Sequence, residues 1–176
     1  GLPESLRQIG PTGAALLVET RAADATELGA NVRAIEAALE GLHTYEPVRF
    51  STDVRECARY WNVRKGMFPS VGAMRKVGTT VIIEDVCFPI PHLADAAVDL
   101  QGLFRTHGYQ NAIIFGHAKD GNVHFVITQS FNDQAAVDQY ARFVDDLVPL
   151  VVRKYDGALK AEHGTGINMA SYVERE

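Results

Sequence analysis

Two histidines, His117 and His124, bracket the stretch "HAKDGNVH", which holds an Asp-Gly-Asn turn signal between them. If residues 111–117 and 123–130 pair as a hairpin across that turn, the two imidazoles sit near facing positions, with Cβ atoms within about 5 Å. Two neutral imidazoles at that separation can share one first-row metal ion. Zinc-type sites usually take three protein ligands and keep a position open for substrate or water, so a third donor is needed. Glu162 is the best candidate: it adjoins His163 inside "KAEHGTG", and glycine lets a backbone approach a ligand closely. On the residues alone, His-x6-His fits a structural turn as well as a metal pair.

The elements that must carry these residues alternate along the chain. Residues 14–22 and 48–53 read as strands, and 24–42 as a helix begun by Asp24 and ended near Gly41. A helix over 54–66 follows, with Ser51, Thr52 or Asp53 as its cap, then a stretch of no clean period containing Pro69, Gly72 and Gly78 that reads as an irregular loop. A strand over 81–91, a helix over 92–108 stopped by Gly108, the hairpin, and a helix over 133–157 with one proline complete the pattern, ahead of a Gly-rich loop and a short helical tail. The expectation is a single α+β domain over 1–176, a ferredoxin-like antiparallel sheet with helices packed on one face. Trp61, Phe115, Phe125 and Phe143 read as core, and His43, His92 and His107 as solvated. Asp85, within the apolar run "VIIEDV", is either a strand-end acid bonded to backbone or an anchor for a metal or cation loop.

Composition sets the outer limits. Hydrophobic residues make up 47% and charged residues 22% of 176, enough for a packed core. A net charge of −5, and no run of Lys or Arg longer than two, speak against a nucleic-acid surface. No stretch approaches the 18 or more apolar residues of a membrane span. With two cysteines, Cys57 and Cys87, and no signal peptide, a reducing, cytoplasmic setting without disulfides is expected. The opening "GLPESL" lacks an initiating Met, which leads us to expect a domain cut from something longer.

"FPSVGAMRKVGTTVIIEDVCFP", "AIIFGHAKDGNVHF" and "LKAEHGTGINM" together resemble the C-terminal, substrate-side domain of the FAD-linked oxidases, the family of D-lactate, glycolate and D-2-hydroxyglutarate dehydrogenases. The likeness runs from about residue 60 to the end and is greatest to large bacterial members that fuse flavin-binding, substrate and iron-sulfur cluster domains. It implies a fragment that should oxidise nothing alone, with FAD bound mainly by a preceding domain and an iron-sulfur cluster only in the full-length chain. It also implies His117, His124 and Glu162 as ligands of a divalent metal, zinc or manganese, and His163 as the base that takes the hydroxyl proton of a small 2-hydroxy acid. Arg64 in "WNVRKG" matches the family's substrate arginine, and "GAMRKVG" adds Arg75 and Lys76 as cationic partners for carboxylates. The ordinary alternative for each of these cations is a solvated surface charge.

Three departures from the family pattern bear on the substrate and leave the reaction type alone. Lys119 stands where Gly is usual, Val126 where some members carry Asn, and Ile167 where a basic residue is expected. A second reading, of a different class, is a stand-alone ferredoxin-like module that senses a metal or small acid without redox chemistry. In a sensor His163 and the cationic loop would be idle.

Overall fold

The computed structural model describes residues 9–10, 13–164 and 166–175. They fall into two compact units, one up to Met67 and one from Phe68 onward.

In the first unit, helix α1 (Ala25–Leu39) starts where expected. The Asp24 side chain accepts from the N–H groups of Thr26 and Glu27, and the Glu27 carboxylate accepts from Ala23 N–H. The strands expected at 14–22 and 48–53 are absent. Val18, Thr20, Val48 and Thr52 suit a strand, but a strand exists only where a partner takes its N–H and C=O groups. Among the described residues neither segment is paired, and Leu16, Leu17 and Val18 lie exposed. Helix α2 (Val54–Met74) is capped by Asp53, whose carboxylate accepts from Glu56 N–H. It continues through the stretch read as a loop. Pro69 has no N–H to give the carbonyl four residues back, yet the helix persists for another turn, on which Val71 is buried. Trp61 is not core: it is 38% exposed, and its indole N–H donates to Glu19.

The second unit is built around three antiparallel strands, β1 (Thr80–Cys87), β2 (Ile113–His117) and β3 (Asn122–Gln129), in the order β1-β3-β2. Helix α3 (Leu93–Thr106) connects β1 to β2, which run parallel with β3 between them, and helix α4 (Gln134–Val148) follows β3. After α4 the chain returns to the free edge of β1, where Ala158 and Cys87 exchange both backbone hydrogen bonds. The fold is α+β. Its strand order is that of a ferredoxin-like sheet whose fourth strand is reduced to this single bridge. Pro149 ends α4, and Pro149–Lys154 forms a wider π-helical turn. A short helix α5 (Gly166–Met169) closes the unit.

The period of two along the strands divides the sheet into two faces with different tasks. Ile82, Val86, Val123, Phe125 and Ile127 share one face and pack with Ala96, Leu100 and Phe104 of α3 and Phe143, Val144 and Leu147 of α4. Phe125 packs against both Phe104 and Phe143, with ring centroids 5.4 and 5.9 Å away. Each such buried side chain contributes roughly 1.5–3 kcal/mol. Glu84 belongs to this face as well. Burial pushes its carboxyl up, and Asn168 of α5 donates to it at 2.7 Å, tying the tail to β1. The opposite face carries Asp85, Phe115, His117, Asn122 and His124. Phe115 is only half-buried, and His107 is not solvated: its side chain is 9% exposed and meets Asp146 at 2.8 Å. Cys57 and Cys87 are unpaired.

Candidate functional site

The hairpin closes one residue tighter than the sequence suggests. Ala118–Asp120 forms a 3-10 turn and Gly121 follows at φ 68°, so Asn122 already belongs to β3. His117 therefore faces Asn122, and Phe115 faces His124. The two histidines are diagonal neighbours on one face, not facing residues, with ring centroids 5.5 Å apart and planes at 90°. Diagonal neighbours are still within reach of long side chains.

The loop after the Ala158 bridge brings the other two residues in. Asp85, buried on β1, accepts three backbone hydrogen bonds through Oδ2, from Ala161 at 3.2 Å, Glu162 at 2.7 Å and His163 at 2.8 Å. Three successive N–H groups aimed at one carboxylate oxygen fix the course of the loop. Glu162 Oε1 then lies 3.3 Å from His117 Nε2, 3.1 Å from His124 Nε2 and 3.2 Å from His163 Nε2. His124 is almost fully buried, while His117, Glu162 and His163 are about half exposed, so the cluster opens to solvent on one side.

These donors fit a divalent ion. Ligand atoms held about 2.0–2.2 Å from one metal stand roughly 3.0–3.5 Å from one another. The two Nε2–Oε1 separations fall within that range, and the ligating atoms of His117, His124 and Glu162 all lie within 4.8 Å of each other. Asp85, His124 and His163 form a second such group. Burial, opposed by the Asp85 and Glu162 carboxylates, holds the His124 pKa below the usual imidazole value, which favours the neutral form that binds metal.

Three cations were expected to bind substrate carboxylates. Arg75, just past the end of α2, donates from Nη1 to Gly72 O at 2.7 Å and from Nε to Thr79 O at 3.1 Å. It thereby closes the turn into β1, with guanidinium donors to spare. Lys76 is exposed in the same turn, and its carbonyl accepts from both the N–H and the hydroxyl of Thr79. Arg64 lies on α2 in the first unit. Lys119 sits exposed in the 3-10 turn between the two histidines, Val126 is fully buried, and Ile167 is 93% exposed.

Asn122, read in the sequence only as part of the turn signal, also belongs to the face that carries His117 and His124. It is 6% exposed, faces His117, and its Oδ1 is buried with no hydrogen-bond partner in the described residues. Only its place within "DGN" beside a histidine could have marked it.

In this α+β unit three imidazoles converge on one carboxylate, beside the sheet face opposite the one that packs against α3 and α4. Residues 5–176 match the family model for FAD linked oxidases, C-terminal domain, and the chain belongs to that family. It is 28% identical over 156 residues to a D-2-hydroxyglutarate dehydrogenase of Pantoea ananatis, covering 85% of this chain and 15% of that protein. Against a D-2-hydroxyglutarate dehydrogenase of Xanthomonas citri it is 25% identical over 163 residues, 90% of this chain and 33% of the relative. Against the mitochondrial cytochrome D-lactate dehydrogenase of Arabidopsis thaliana it is 26% identical over 140 residues, 76% and 23% respectively. The chain thus spans a third or less of these relatives. Among the described residues no helix is long and apolar enough to cross a membrane.

Proposed function

We propose that this chain is the substrate- and metal-binding domain of an FAD-dependent dehydrogenase that oxidises a D-2-hydroxy acid to the 2-oxo acid. The observation that carries the reading is the convergence of His117, His124 and His163 Nε2 on Glu162 Oε1, all within 3.3 Å. His117, His124 and Glu162 would hold a zinc or manganese ion. When bound, that ion supplies Lewis acidity, lowering the pKa of a substrate hydroxyl. FAD, held mainly by a separate flavin-binding domain, would supply the hydride-accepting chemistry.

The chain's own residues have four tasks. His163, half exposed beside Glu162, accepts the hydroxyl proton on Nε2, as an imidazole can near neutral pH. Arg64 pairs with a substrate carboxylate, and Arg75 and Lys76 add positive charge for one. Asp85 keeps Glu162 and His163 on a loop whose backbone is tied at three consecutive N–H groups. His124, almost fully buried, is the fixed member of the set.

The test is anaerobic flavin reduction in the full-length protein by D-lactate, glycolate and D-2-hydroxyglutarate, with metal content measured before and after His124→Ala. Reduction by at least one of these acids, with metal and reduction both lost in the variant, is the expected result. A protein that binds FAD reducible by dithionite, yet is reduced by none of them, would refute the dehydrogenase reading. Metal retained in His124→Ala would refute the ligand assignment.

A further inference from the structure

The Asp85 carboxylate has a second oxygen that the loop does not use. Its Oδ1 lies 3.0 Å from His124 Nδ1, on the opposite side of the imidazole from Glu162. Both atoms are buried and at 3.0 Å each is the other's close polar neighbour; the approach is a charge–dipole contact, since neither atom makes a hydrogen bond with the described residues. An ionised carboxylate only accepts, so the contact is attractive only when Nδ1 carries the proton. That leaves Nε2 with a bare lone pair, directed at the side where Glu162 Oε1 waits at 3.1 Å. A lone pair facing a carboxylate oxygen is favourable with a cation between them and unfavourable without one.

We propose that Asp85 is the positioning residue of this site. Through Oδ1 it selects the His124 tautomer with Nε2 free to coordinate, and through Oδ2 it sets the loop that delivers Glu162 and His163. One carboxylate on β1 thus couples a ligand on β3 to a ligand and a base on the C-terminal loop. Carboxylate partners of this kind raise the basicity of a ligating histidine, and their loss typically costs 10–100-fold in metal affinity. The inference rests on the metal reading above, and its first test does not need the metal.

That test is the tautomer of His124 in the metal-free chain, read from 15N shifts and long-range proton couplings of the ring nitrogens. We expect a proton on Nδ1 and none on Nε2. In Asp85→Asn the side-chain oxygen can stay with the loop N–H groups while an amide N–H turns toward His124 Nδ1, so the ring proton should move to Nε2. Zinc affinity of the folded variant should fall about 10–100-fold, with a smaller loss in Tm than a core truncation such as Phe125→Ala gives. An Nε2–H tautomer in the unaltered chain would overturn the proposal even if Asp85→Asn failed to fold. So would a folded Asp85→Asn that binds zinc as the unaltered chain does. If the unaltered chain has the Nδ1–H tautomer but binds no zinc, the metal reading falls and the positioning role of Asp85 stands.

Discussion

Gly121→Ala should damage this domain far more than another glycine substitution with nearly the same backbone angle, and the structure says by how much. Gly121 has φ 68° and ends the turn between His117 and Asn122. A Cβ there would lie 2.0 Å from the carbonyl oxygen of Phe88. Ordinary carbon–oxygen approaches are about 3.3 Å or more, so the two backbones must part by roughly 1.3 Å. That movement breaks the bond from Phe88 N–H to Gly121 O, now 2.9 Å. Leaving such a donor without a partner costs about 1–3 kcal/mol, added to about 1–2 kcal/mol for an L side chain in the left-handed region. The total is about 2–5 kcal/mol. Gly108 has φ 80°, but a Cβ there meets only the end of the Gln139 side chain at 3.5 Å. Gly108→Ala should therefore cost only the conformational part, about 1–2 kcal/mol. Urea unfolding of both variants by circular dichroism, in chelator, measures the difference. Zinc titration should further show weakened binding for Gly121→Ala alone, because its turn spaces the two histidines. Equal stability losses within about 0.5 kcal/mol would refute the argument from close approach.

Two further outcomes follow from the roles assigned to the site, both in the full-length enzyme. His163→Ala should slow flavin reduction by about 10²–10⁴-fold, the usual contribution of a positioned base, while substrate affinity changes much less; equal losses in both would argue against a base. Arg64→Ala should raise KM for the acid strongly with FAD content unchanged, and an unaltered KM would remove Arg64 from the site.

The local signals that survived folding are those whose physics is local. Asp24 and Asp53 cap helices because a short acceptor before an amphipathic run satisfies N–H groups within the same turn. The turn 118–121 forms because Gly121 takes the left-handed conformation. The sequence alone determined the α+β class and the hairpin, and it set His117, His124, Glu162 and His163 in two motifs, for which the family resemblance implied metal and proton chemistry. What it left undecided depended on partners distant in the chain. Residues 14–22 and 48–53 are unpaired among the described residues, and α2 runs past Pro69 where periodicity had faded. The hairpin register, one residue tighter, made the histidines diagonal neighbours. Asp85 was an ambiguous acid in an apolar strand until the chain returned about 75 residues later and set three N–H groups on one of its oxygens and left His124 beside the other. A sequence can place residue types that bind a metal; only the closed tertiary structure decides which buried carboxylate must be paired, because desolvation makes an unpaired charge too costly to leave alone.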